Sequence, residues 1–200
     1  MTSHSISYRD EVYRKLIHLS SLWMVGAVYF LPQSLAITLF AALLIGFGGF
    51  EYGRRRIPLI QSLTNRTMGS ILRNHEKQSM TGAFYVVLAV LIAVILFSKP
   101  VAVIAIIIML VSDTFAALVG RKYGRIKILN KSLEGCMAFF AITIVILTFS
   151  SISGFIPIHV LCIILISIII TITELISDKI KIDDNLSIVL ISGYLIGVFL

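Results

Sequence analysis

The sequence predicts an all-α, polytopic integral membrane protein of about seven transmembrane helices. They form one domain over residues 1–200, with the N-terminus in the cytoplasm. Composition is the first ground. Of 200 residues, 58% are hydrophobic and 14% charged, and the mean hydropathy is +1.00. Soluble domains run nearer half apolar and a quarter charged, so a soluble globular domain is excluded, and so is a disordered chain. The second ground is that the apolar residues gather in blocks long enough to cross a bilayer. The third is charge asymmetry. With seven spans, all but Lys99 of the 17 lysines and arginines fall on the side of the N-terminus. The positive-inside rule makes that side cytoplasmic, and one span more or fewer would scatter these charges.

In chain order the spans read as about 16–31, 34–50, 82–98, 100–119, 136–153, 156–173 and 186–200. Pro32, Pro100 and Pro157 punctuate turns, and Gly154 marks the connection between the fifth and sixth spans. Several spans are shorter than the roughly 20 residues of a straight crossing, which calls for tilt, thinning or protein-lined cavities. The longest loop, about 53–81, is basic. In it Ile60, Leu63, Ile71 and Leu72 fit one face of an interfacial helix, and a solvated loop held near anionic lipid fits equally well. The net charge of +7 lies between apolar blocks, so it speaks for topology and anionic ligands rather than nucleic acid. Cys136 and Cys162 come out near opposite membrane faces and match neither a disulfide pair nor a metal motif.

Asp113, inside the fourth span, is the most informative residue. A carboxylate there costs roughly 2.5–3.5 kcal/mol to insert, so it must face a polar cavity or a partner. It is either an ion pair holding the bundle or a functional group. Helical spacing puts Asp113, Ala116, Ala117 and Gly120 on one face, and the series Ala116, Gly120, Gly124 lets a helix or a ligand approach the backbone. From Gly120 to Gly135 the chain packs five cations, three glycines and one acid into 16 residues. Arg121, Lys127 and Lys131 suit phosphate, and Gly120, Gly124 and Gly135 expose amides. An ordinary positive-inside loop has the same composition, and neither a Walker A loop nor a dinucleotide fingerprint is present. After the sixth span, Glu174 and Asp178 share a helix face, and Asp183-Asp184-Asn185 precede the seventh. Such oxygen ligands suit Mg2+ bridged to nucleotide phosphate, and a loop whose acids are offset by lysines is the plainer alternative. Near the start, Glu11, Arg14, Lys15 and His18 recur at helical spacing as a polar stripe, which intrahelical ion pairs also explain. Glu51 stands at the same membrane level.

Together these stretches resemble the CTP-dependent lipid-alcohol kinases: dolichol kinase, phytol kinase and the CTP-dependent diacylglycerol kinases. The likeness is carried by Glu11 to His18 (ExxRKxxH), Thr81-Gly82-Ala83, Ser112 to Gly124 (SDTFAALVGRKYG), Lys131 to Gly135 (KSLEG) and Asp183-Asp184-Asn185-Leu186. Phosphatidate cytidylyltransferases are similar in the same region. Their longer Ser-Pro-Lys-Lys-Thr-x-Glu-Gly form is shortened here to Lys131-Ser132-Leu133-Glu134-Gly135. Their later His-Gly-Gly…Asp-Arg signature is missing, since no histidine follows His159. That departure favours phosphoryl over nucleotidyl transfer.

The resemblance implies a single transmembrane catalytic domain, with its active site facing the cytoplasm and CTP as co-substrate. It implies Mg2+ or another divalent cation, and a membrane lipid alcohol (polyprenol, dolichol, phytol or diacylglycerol) as acceptor. By the same likeness Arg121, Lys127 and Lys131 hold phosphate with the Gly120 and Gly124 amides, and Ser132, Glu134 and Gly135 belong to the nucleotide site. Asp113, Asp183 and Asp184 position the metal, and Asp113 or another carboxylate takes the hydroxyl proton. Glu11, Arg14, Lys15, His18 and Asn185 are further candidates. A rival from another class is a transporter with Asp113 as an ion relay. Against it, the acids cluster on one side and the fifth and seventh spans carry no charge. The lipid and the oligomeric state are left open.

Overall fold

The structure, a computed structural model, describes residues 7–68, 79–180 and 182–200. Local chemistry sets most helix boundaries. Ser7 caps α1 (Tyr8–Ser20), its hydroxyl accepting the Asp10 N–H at 3.1 Å. Asp10 and Glu11 occupy the first turn, where the helix dipole favours acids. The helix stops at Ser20, whose hydroxyl donates to the Ile17 carbonyl at 2.6 Å, and the Ser21 and Leu22 N–H groups bond three residues back. This tightened turn separates α1 from α2 (Trp23–Phe30), so the block read as the span 16–31 is two helices.

Pro32 precedes α3 (Gln33–Arg56), which continues past residue 50 because Arg54, Arg55 and Arg56 complement the dipole at its C-terminus. Extended Ile57 before Pro58 ends it, and Pro58 opens α4 (Pro58–Met68). Helix α4 carries Ile60 and Leu63 of the expected interfacial helix, while Ile71 and Leu72 lie outside the described residues. Next come α5 (Gly82–Leu96) and a long rod composed of α6 (Lys99–Ile107), a π-helical segment (Ile108–Ser112) and α7 (Asp113–Tyr123). A small antiparallel hairpin follows, β1 (Lys127–Ile128) against β2 (Lys131–Ser132), with Lys127 opposite Ser132. Ser132 then caps α8 (Leu133–Ile152), which ends near Gly154 at φ 72°, a left-handed position that glycine takes without strain. Ile156 and Ile158 are buried on the non-helical stretch around Pro157. Consequently α9 (Val160–Ile180) starts and ends later than the 156–173 read from hydropathy. Asp183 caps α10 (Asp184–Val198).

The rod from Lys99 to Tyr123 is the axis of the molecule. Val101 to Ile106 and Ile108 to Leu110 are all buried, and α2, α5, α8 and α10 pack around them. Helix α3 lies outside, against α5 and α4, and buries little of itself. Among the described residues, four helices are long and apolar enough to cross a bilayer: Gln33–Arg56, Lys99–Tyr123, Leu133–Ile152 and Val160–Ser177. Two more apolar helices, Gly82–Leu96 and Asp184–Val198, have 15 residues each. Outward faces carry Phe30, Ile45, Phe149, Ile152 and Leu161, a surface suited to lipid rather than water. Several hydroxyls within the helices are satisfied locally: those of Ser167, Thr171 and Ser192 donate to carbonyls of the preceding turn. Among the described residues, this all-α membrane protein is interrupted by one hairpin.

Candidate active site

Asp113 opens α7 directly after the π segment. A π turn takes in an extra residue and so rotates the next turn relative to an unbroken α-helix. Thr114 Oγ1 bonds the Leu110 carbonyl at 2.7 Å, and Thr143 Oγ1 on α8 donates to Ser112 Oγ at 3.0 Å, which fixes the segment. Asp113 thereby faces α1. The Lys15 ammonium donates to its Oδ2, and His18 Nε2 lies 3.5 Å from that oxygen and from the Met109 carbonyl. Asp113 is 6% exposed and Lys15 2%. Two charges so far from water persist only as a pair. On the outer turn of α1, Arg14 pairs with Glu11.

A second charged group lies where the hairpin meets α9 and α10. Lys131 donates to the Glu174 carbonyl at 2.6 Å and to its Oε1 at 2.5 Å, and lies 3.9 Å from Asp184 Oδ2. Burial works against the Lys131 ammonium, but Glu174, Asp184 and Asp113 outweigh it and hold its pKa above the ordinary lysine value. Asp183 Oδ1 accepts the Asn185 N–H at 3.0 Å and the Asn185 side-chain amide at 2.8 Å. Burial, with Asp184 alongside, pushes the Asp183 carboxyl up to about 7 although the Asn185 bonds oppose this. Glu174 Oε2 and Asn185 Oδ1 are buried acceptors without a hydrogen-bond partner. Among the described residues, no three His, Cys, Asp or Glu side chains converge as a metal site by themselves.

The glycines of the basic stretch serve packing. A Cβ on Gly120 would meet Ser132 Oγ at 2.8 Å, and one on Gly135 the Ala116 carbonyl at 2.9 Å. At Gly124 it would lie 2.7 Å from Ser132 Cβ. The small face of α7 is therefore covered by the start of α8. Amides expected to face phosphate are used inside the fold: Gly124 N–H donates to the Gly120 carbonyl at 3.1 Å, and Gly135 N–H to Ser132 Oγ at 3.1 Å. Glu134 Oε1 accepts the Arg125 and Ile126 N–H groups and brackets the loop, while its Oε2 is a buried acceptor without a partner. Arg121 and Lys127 are exposed, whereas Lys131 points into the acidic group. So the single phosphate loop suggested by composition is divided between an outer rim and one inward cation. The side chain of Asp178 lies outside the described residues.

A third cluster is the one that sequence reasoning largely missed. Glu51 and Arg54, at 1% and 4% exposure, are bound by Arg54 Nη2 donating to Glu51 Oε2 at 2.6 Å. Thr81 Oγ1 donates to Glu51 Oε1 at 2.6 Å, and Arg54 Nη2 to the Ser79 carbonyl at 2.8 Å. This ties the end of α3 to the start of α5. Glu51 at the end of an apolar block was a signal. Arg54 was hidden because it reads as one of three loop arginines.

All three clusters border one cleft of about 190 Å³. Arg14, His18, Asp113, Asp184, Asn185, Glu51 and Arg54 line its polar part, and Ile17, Phe47, Phe50, Ala83 and Val86 its apolar part. An amphipathic cleft with buried acids and cations, set among bilayer-length helices, defines a membrane protein built to bring a charged group against an apolar molecule. Comparison with known proteins gives the family. An uncharacterized protein of Methanocaldococcus jannaschii is 31% identical over 192 residues, covering 94% of this chain and 93% of its own. CTP-dependent diacylglycerol kinase 1 of Schizosaccharomyces pombe is 31% identical over 144 residues, covering 67% of this chain and 64% of its own. The Saccharomyces cerevisiae protein of the same name is 35% identical over 91 residues, covering 44% of this chain and 31% of its own. The chain thus spans about a third to two thirds of the length of these named kinases. No family model and no solved structure matches. The chain belongs to the CTP-dependent lipid kinase family.

Proposed function

We propose that this protein transfers the γ-phosphate of CTP to a lipid alcohol at the cytoplasmic face of a membrane, within a seven-span domain whose N-terminus is cytoplasmic. The observation that carries the reading is the joining of the buried Lys15–Asp113 and Lys131–Glu174–Asp184 groups to a cleft that is apolar on one side. Diacylglycerol leads the acceptors because the fungal relatives are named for it; polyprenol, dolichol and phytol are the others. The charge asymmetry supports the orientation, and α1 with α2 would make the first crossing as a broken span.

Phosphoryl transfer needs positioning and neutralised charge more than covalent help from the protein. In this reading Lys131 and Arg14 hold phosphate oxygens, and Arg121 and Lys127 draw the nucleotide to the outer rim. Lys15, at 2% exposure, is buried against Asp113 more deeply than Arg14 or Lys131 is against its acid, and is left to neutralise Asp113. The lipid hydroxyl attacks the γ-phosphorus in line; the bond to the β-phosphate oxygen breaks, CDP leaves, and the hydroxyl proton passes to a carboxylate of the Asp113–Asp184 group. The donor set fits Mg2+, which usually takes one or two carboxylates and completes its shell with phosphate and water. Asp113 and Asp184 border the same cleft and offer that number. When bound there the ion would supply charge neutralisation on the phosphates. Asp183 orients Asn185 rather than facing the cleft.

The test is transfer from CTP labelled at the α- or the γ-phosphate, with the protein in lipid and a panel of lipid alcohols and phosphatidic acid. Label entering lipid only from the γ position is expected, and its loss in Asp113→Asn. Label entering only from the α position would make the protein a CDP-lipid synthase and overturn the reading.

A further inference from the structure

We propose that the cleft between α1 and α3 is the acceptor site and encloses only the hydroxyl end of a lipid alcohol, so that selectivity lies in the first few carbons and not in the tail. This rests on the kinase reading above. Size is the first observation. A space of about 190 Å³ holds roughly six groups the size of water, at about 30 Å³ each. That is an alcohol oxygen and about five carbons. A polyisoprenoid or acyl tail is far longer, and the rest of it has to stay in the bilayer.

Polarity gives the direction of entry. Both oxygens of Glu51 are taken, Oε1 by Thr81 and Oε2 by Arg54. On the opposite wall Asn185 is 6% exposed and its amide nitrogen is committed to Asp183, which fixes the orientation of the side chain. Its Oδ1 is then a buried acceptor with no partner, on a residue that lines the cleft. An unpaired buried acceptor is costly, and a substrate hydroxyl admitted by a small shift of the groups covering it would satisfy it. The hydroxyl end therefore sits against Asn185, beside Asp184 and Asp113.

The apolar side gives the way in. Helix α1 packs on α7 and the π segment, and α3 packs on α5 and α4, while α1 and α3 share at most marginal contact. Ile17 and Phe50, each 47% exposed, stand on the two sides of that gap. Among the described residues, the gap is where a chain can pass from bilayer to cleft without desolvating a charge.

The test uses long-chain alcohols bearing a diazirine either near the hydroxyl or at the far end of the tail, photolysed with the reconstituted protein without nucleotide. The hydroxyl-end probe is expected to label α1 and α3 around Ile17, Phe47 and Phe50. Excess unlabelled alcohol should compete this labelling away. Ala83→Trp, which fills the cleft from an exposed position, should reduce it at least tenfold. Ile152→Trp on the outer surface should not. Ile17→Trp is the second filling variant should Ala83→Trp fail to fold. Asn185→Leu should lose the competition. Cleft labelling by the tail-end probe equal to that by the hydroxyl-end probe, or labelling indifferent to both filling variants, would overturn the proposal. Because no CTP is present, competed labelling without later γ-transfer would leave the site standing and refute the kinase reading alone.

Discussion

Removing either member of the buried Lys15–Asp113 pair should destabilise the fold far more than removing both. With Lys15 at 2% and Asp113 at 6% exposure, neither charge can turn to water when its partner goes. Orphaning one charge of such a pair costs about 3–5 kcal/mol. For a chain of 200 residues a loss of 1 kcal/mol lowers Tm by roughly 2–4 °C, so Lys15→Met or Asp113→Asn should lower it by about 6–20 °C. Lys15→Met is softened by His18, 3.5 Å from Asp113 Oδ2, which can supply a compensating charge when protonated. Asp113→Asn leaves Lys15 with no carboxylate. The double variant removes both charges and should recover much of the loss, with a coupling of about 2–3 kcal/mol. The assay is thermal unfolding in one detergent and lipid mixture for the four proteins of the cycle, with phosphoryl transfer measured alongside. All three variants should be inactive. Additive effects of the two single substitutions would refute the pair as the link between α1 and α7, and full activity in Lys15→Met would refute its place beside the reacting group.

The same geometry sets two further outcomes. Gly124→Ala would force a Cβ to 2.2 Å from the Gly120 carbonyl oxygen and 2.7 Å from Ser132 Cβ, so it should cost at least about 1–3 kcal/mol of stability by overpacking. Its KM for CTP should change no more than that loss explains; a selective rise in KM with unchanged Tm would return this glycine to the phosphate site. Asp183, held up to about 7, binds its proton more tightly folded than unfolded. Without nucleotide or divalent ion, stability should therefore fall as pH rises from about 4 to 7 and level off above, at up to about 1.4 kcal/mol per pH unit. Asp183→Asn should flatten that slope in a Tm series, and an unchanged slope would show that another group titrates.

The membrane class and most helices were legible because hydropathy is local. Apolar blocks, with Pro32 and Pro100 between them, mark elements wherever the rest of the chain goes, whereas the caps Ser132 and Asp183 were read as site residues and shown to be caps only by the structure. The broken first span was not legible, because Ser20, whose hydroxyl bonds the Ile17 carbonyl, counts with Ser21 as nearly neutral in a hydropathy average. Asp113 stood out because an acid in an apolar block is costly in any fold. Its partner Lys15 could not be found, since a contact across 98 positions leaves no periodic trace, and the intervening π segment turns Asp113 by an amount that uniform helical spacing misses.

By itself the sequence determined that this chain is an apolar membrane protein, and that Asp113 and the acids near Asp184 need partners. Those are consequences of transfer free energy, which each residue carries with it. The tertiary structure decided which cation serves which acid. It assigned Lys15 to Asp113 and Lys131 to Glu174, and turned the glycines of the basic stretch to helix packing. It also left Asn185 Oδ1 unpaired at the edge of an apolar cleft. Pairing depends on distances of a few ångströms between helices remote in the chain, and only packing sets those distances.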